Sequence, residues 1–264
     1  MSFIKEFFGI GGYQREPEGY LSWHHLLFVT SFIAVMIAAA IFFGRRYRNS
    51  DEKIKNRVLI VCTALLWSLE IFKSLFFSIA FDNPTYILKN LPLFFCSLQT
   101  IAIPIAAFAR GIVKDTALDF IFVFGVLGAF FGTYFAGNNF GSYPVVCVDN
   151  TISVLTHTIA GFASLFIVIS GMQRMKKRNI LPNLAMITSF AIIAYIVGVL
   201  VPYNYMFLFS HDGTPYEMFY NLVNGNKVLY PMVVVALFYF YILVFYGVYF
   251  LITKQIEKRK SNKA

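Results

Sequence analysis

Apolar residues run along this chain in blocks of about twenty, separated by short polar connections, and that spacing sets the architecture. The blocks are Trp23–Phe43, Val58–Ala80, Leu91–Ala109, Ala117–Ala136, Ile152–Met172, Asn183–Pro202 and Val228–Ile252. Each approaches the ~20 residues with which a helix crosses a ~30 Å hydrocarbon core. Lipid offers no partner to free backbone groups, and the alternation of a barrel strand is absent, so helices are expected. The predicted fold class is all-α, a polytopic membrane protein with a bundle of seven transmembrane helices. The connections leave no room for a soluble domain, so residues 1–264 are expected to form a single seven-span membrane domain.

Charge orients the bundle. The connection after the first block carries Arg45, Arg46, Arg48, Lys53, Lys55 and Arg57. Arg110 and Lys114 follow the third block, and Arg174, Lys176, Lys177 and Arg178 follow the fifth. The tail adds Lys254, Lys258, Arg259, Lys260 and Lys263, against only Lys5, Arg15, Lys89 and Lys227 on the alternate connections. Under the positive-inside rule this puts the N-terminus outside and the C-terminus inside a cell membrane.

Composition agrees: 58% of residues are hydrophobic and 13% charged, well below the quarter that keeps a soluble domain dispersed. The net charge of +9 does not point to nucleic acid, because the basic residues flank apolar blocks instead of forming one patch. Membrane lipids are the expected partners. Cys62 and Cys96 fall within apolar blocks and Cys147 in an outer connection, where it is expected to be the more exposed thiol. The three lack the spacing of a disulfide framework or zinc site, and no metal or other cofactor is expected. The first twenty residues lack a positively charged region leading into an apolar core, so no removable signal peptide is expected.

Polar groups inside apolar blocks are costly enough to mark the bundle interior. The second block carries Glu70 and Lys73, three residues apart and able to meet on one helix face as an ion pair or a site element. Thr63, Trp67, Ser74 and Ser78 follow the same helical spacing. In the third block Pro92 suits a first helical turn, and Cys96, Gln99 and Thr100 share a face. The fifth block carries Asn150, Ser153, His157, Gly161 and Ser164 at spacings of three and four, a small and polar stripe that must face inward. Gly128 and Gly132 in the fourth block have the spacing of a close helix contact. Cys96 and His157 both fall about five residues below the outer ends of their blocks, with Lys73 at similar depth. His25 begins the first block at the same side, and Asn204 and Tyr205 follow the sixth. Polar chemistry is therefore expected in an outer-half cavity. Cys96 reads as a small apolar filler or a nucleophile, His157 as a structural residue or a general base.

With these residues the chain resembles the YwaF family of bacterial integral membrane proteins. The resemblance rests on the spans, Leu91-Pro92-Leu93-Phe94-Phe95-Cys96-Ser97-Leu98, His157, and Asn204-Tyr205-Met206-Phe207-Leu208; His25 and Glu70 fit the same template. Phe94 stands where the family segment carries a histidine. An animal relative resembles a membrane acyltransferase that acts on phospholipids through a cysteine and a histidine, and a similar fold hosts threonine-dependent lipid hydrolases. The resemblance implies Cys96 as nucleophile, His157 as base and an acyl-lipid substrate. Gln99 or Asn204 would donate to an oxyanion, and His25, Glu70, Lys73 and Tyr205 would support the site.

Two other classes fit seven spans. A small-molecule or ion transporter would string Glu70, Lys73 and His157 along a path, yet the inner half shows no matching polar stripe and no inverted repeat. A membrane sensor would be expected to carry a soluble signalling domain, for which the short connections leave no room.

Overall fold

The computed structural model describes residues 3–212 and 214–262; Gly213, in the connection after the sixth apolar block, and Lys263 of the basic tail lie outside the described residues. Seven principal helices follow one another: α1 (Trp23–Arg46), α2 (Glu52–Ala80), α3 (Gln99–Phe108), α4 (Gly111–Tyr134), α5 (Val148–Ile169), α6 (Ile180–Leu200) and α7 (Leu229–Ser261). Short helices fill the connections, and no strand occurs among the described residues. The start of α1 shows local causes at work: Ser22 caps it, its hydroxyl accepting from the His25 backbone N–H at 3.3 Å.

Six helices are long and apolar enough to cross a membrane, and the stretch Cys96–Phe108 is apolar but shorter. The third block is thus where the structure departs from expectation. Pro92 does not open a helix; Leu91 to Phe95 are non-helical, a single 3₁₀ turn spans Cys96–Leu98, and only then does α3 begin. Proline disfavours helical backbone in the residue before it, and aromatic contacts take over where the helix would have been. Phe94 lies edge-on to Tyr205 at 5.6 Å and Tyr203 at 5.9 Å, and Phe95 stacks on Phe238 at 4.6 Å.

The chain resolves into two compact units, Met1–Pro92 with Gln99–Gln173, and Leu93–Leu98 with Arg174–Ala264. In the first, α4 and α5 form the most intimate pair, α1 and α2 pack on α5, and α3 packs on α2 and α4. Small residues allow the close approach: a Cβ added at Gly125 would fall 2.6 Å from Ser164, and one at Gly161 would fall 2.4 Å from the Met36 sulfur. The expected Gly128–Gly132 contact holds only at Gly132, since Gly128 faces open space. In the second unit α6 pairs with α7, where the Asn183 amide donates to the Tyr246 hydroxyl at 2.9 Å and the Thr188 and Tyr239 hydroxyls share a hydrogen bond. Large apolar side chains such as Leu181 (74% exposed) and Phe240 (67%) face outward, as a lipid-facing surface requires.

Candidate functional site

Two clusters hold most of the chemistry, each internal to one unit. The first is built on α2 and α5. Asp149, Ser153 and His157 recur every four residues on α5 and so share one face. Asp149 sits in the first turn, where the helix dipole favours a carboxylate, and its Oδ1 lies 2.8 Å from Nζ of Lys73 on α2. Both side chains are largely buried, at 17% and 15% exposed. Lys73 therefore pairs across helices with Asp149 and not with Glu70, the neighbour expected from spacing. Glu70 lies within electrostatic reach of Lys73, His157 and Asp149, so all four belong to one charged neighbourhood.

His157 is oriented by its own helix. Nδ1 lies 2.7 Å from the carbonyl oxygen of Ser153, which can only accept, so Nδ1 carries the proton and the neutral ring has its lone pair on Nε2. The ring rests on the backbone of α4 at Gly132. A Cβ there would fall 2.0 Å from Cδ2 and 2.1 Å from Nε2, so only glycine leaves room for this ring position. A fixed tautomer with a defined basic nitrogen is what a general base needs.

The second cluster is built around the turn after α6. Asn204 organises it: its amide donates to the Ser210 carbonyl at 2.8 Å and to Asp212 at 2.7 Å, and its Oδ1 accepts from the Phe209 N–H at 2.9 Å. Met206 and Phe207 adopt φ values of 53° and 57°, a left-handed turn that turns the chain sharply and that the Asn204 bonds hold in place. Tyr205 is fully buried, and burial, with Tyr203 alongside, pushes its phenol up. Phe94 packs on this turn and fixes the segment carrying Cys96. Cys96 is the exposed thiol, while Cys62 and Cys147 are buried. This reverses the expectation that Cys147, in an outer connection, would be the more accessible; burial also pushes its thiol up.

Two other candidates are placed differently. His25 is buried, and both ring nitrogens meet backbone groups: Nδ1 accepts from the Leu21 N–H at 3.1 Å, and Nε2 donates to the Thr133 carbonyl at 3.1 Å. It ties the chain before α1 to α4. Gln99, the first residue of α3, is 3% exposed, and neither polar atom of its side chain has a hydrogen-bond partner among the described residues. Thr100 alongside accepts from the Trp67 indole N–H through its carbonyl at 3.0 Å, which fastens α3 to α2.

Sequence reasoning missed Asp149 and the Ser153 carbonyl. Extending the α5 stripe one turn toward the N-terminus would have found the carboxylate; the carbonyl leaves no trace in side-chain identity. Among the described residues no three His, Cys, Asp or Glu side chains converge to hold a metal ion.

No curated protein and no solved structure matches the chain. A family model does, over residues 20–255, which takes in α1 to α6 and most of α7. Coverage of that extent, with the apolar helices, identifies a multi-pass membrane protein, and the chain belongs to the TMEM164 family.

Proposed function

We propose that this protein is a lipid acyltransferase or acyl hydrolase of the cell membrane, with Cys96 as nucleophile and His157 as base. The observation that carries the reading is the setting of Cys96. It is the exposed thiol of the three cysteines and stands where non-helical backbone gives way to helix, ahead of α3. Irregular backbone inside an apolar stretch is tolerated only where protein or a polar cavity satisfies it. The resemblance to YwaF-type proteins and to a cysteine- and histidine-dependent acyltransferase supports the same pair.

The reading requires the Cys96 thiol and Nε2 of His157 to share a proton. Nε2 takes that proton, and the thiolate attacks the carbonyl carbon of an acyl ester. As the tetrahedral adduct collapses, the ester oxygen leaves as an alcohol, taking the proton back from His157, and a thioester remains on Cys96. A second hydroxyl, deprotonated by His157, then attacks the thioester carbon. The C–S bond breaks, Cys96 leaves as thiolate and takes the proton back from His157, and a new ester is released, or a free acid where water replaces the hydroxyl. Gln99 is the better oxyanion donor, because the Asn204 amide is already committed to Ser210 and Asp212. Glu70, with the Lys73–Asp149 pair, sets the field around His157. The topology that goes with this reading has seven crossings and an outside N-terminus, α3 and its lead-in making the third. An impermeant thiol reagent on intact cells tests it: Gly141→Cys should label and Arg178→Cys should not, in a background without native cysteines.

The catalytic pair is tested with a thiol-reactive probe of lipid-like length. It should label Cys96 in preference to Cys62 and Cys147, lose that label in Cys96→Ala, and react far more slowly in His157→Ala. Labelling indifferent to His157→Ala would return Cys96 to a packing role.

A further inference from the structure

In the first unit α1 and α2 both pack on α5, and the space left between them is a groove of about 630 Å³. That volume falls within the range of small-molecule sites. Its walls are Phe32, Val35 and Ala39 of α1 and Val61 and Leu65 of α2, and α5 supplies the floor, including Phe162. Thr158 adds no open polarity, because its hydroxyl already donates to the Val154 carbonyl at 2.8 Å. From Phe32 to Tyr47, α1 rises roughly 22 Å, more than half the ~30 Å hydrocarbon core. Val35 is 68% exposed and Val61 56%, so the groove opens sideways toward lipid.

Its polar lining lies at one end. Tyr47 and Arg57 line the groove where α1 and α2 approach the connection that also carries Arg45, Arg46, Arg48, Lys53 and Lys55. Among the described residues no carboxylate lies within ion-pair distance of Arg57; nearby Glu52 is taken by Lys114 at 2.9 Å. An apolar slot open to the bilayer, ending at an unpaired guanidinium in a basic segment, has the chemistry of an anionic amphiphile.

We propose that this groove seats one anionic phospholipid from the leaflet on the basic side of the protein, an acyl chain between α1 and α2 and its phosphate on Arg57. The groove lining includes none of the residues assigned to acyl transfer, and the proposal does not depend on that reading.

The test is a lipid titration of the purified full-length protein in detergent, read by native mass spectrometry. The probes are phosphatidylglycerol, phosphatidylcholine with the same chains, and inorganic phosphate. Phosphatidylglycerol should bind at least about fivefold more tightly than phosphatidylcholine, and phosphate alone should not bind. Arg57→Gln should remove most of that preference, while Arg46→Gln, on the same connection but outside the groove lining, should leave it. Ala39→Phe should fill the slot and block both lipids, and Val61→Phe does the same from the other wall should the first variant fold poorly. Equal binding of the two lipids, or none of phosphatidylglycerol, would overturn the proposal. So would an Arg46→Gln loss equal to that of Arg57→Gln, or undiminished binding in the folded wall variants.

Discussion

Two histidines meet α4 at adjacent residues and do different things there. His25 donates to the carbonyl of Thr133, and the ring of His157 lies on Gly132. Both of the His25 nitrogens are fixed by backbone groups, so protonating Nδ1 would break its bond from Leu21. The ring is also closed in by Phe140 at 4.0 Å. His157 is anchored to its own helix through Nδ1, so a proton arriving at Nε2 leaves its bond to Ser153 intact. Charge differs too: His157 shares its neighbourhood with Glu70, Lys73 and Asp149. One imidazole is a rivet and the other has the attributes of a base, and what separates them is which ring atom the backbone holds.

The largest effect that would sharpen this contrast comes from the charges beside His157. Asp149→Ala leaves Lys73 buried without its carboxylate and should cost about 3 kcal/mol or more of detergent stability. Glu70→Ala should cost less, reversing what the Glu70–Lys73 spacing suggests. A double-mutant cycle over Lys73 and Asp149 should show strong coupling; additive losses would dissolve the pair.

Next come the histidines themselves. His25→Ala removes two hydrogen bonds and a buried ring and should lower stability by about 2–3 kcal/mol. His157→Ala should lower it by about 1 kcal/mol, its main consequence being chemical. Similar melting curves for the two variants would erase the distinction.

The smallest stability change belongs to the glycines. Gly132→Ala must push the His157 ring aside, whereas Gly128→Ala meets nothing within 4 Å and should be silent or slightly stabilising, as alanine is the better helix former. Cys96 labelling should fall in Gly132→Ala and persist in Gly128→Ala. A fall in both would tie the loss to helix packing instead of to the ring.

How much of this was legible in the sequence follows from what each feature depends on. Six of the apolar blocks became long helices because hydrophobic length alone decides whether a helix suits a bilayer. The third did not, because Leu91–Phe95 is decided by a proline and by rings 100 or more residues away, Tyr203, Tyr205 and Phe238. Hydropathy cannot see such contacts. The α5 stripe was visible from Asn150 to Ser164 by spacing, yet the partner of Lys73 was sought within its own helix when it lay across the interface. The exposure of Cys96 and the burial of Cys147 were read the wrong way round, because connections were taken as open and spans as closed. Tyr13, whose phenol is itself pushed up by burial and by its contact with Cys147, helps to cover that thiol.

The most direct measurement of the central claim is the mass of the peptide bearing Cys96 after the purified protein is incubated with acyl-phospholipid vesicles. The account predicts an acyl adduct on Cys96, released by hydroxylamine as a thioester should be, absent from Cys62 and Cys147, and lost in His157→Ala while that variant remains folded. An unmodified Cys96 in protein shown to be folded, or an adduct that forms equally well without His157, would contradict it.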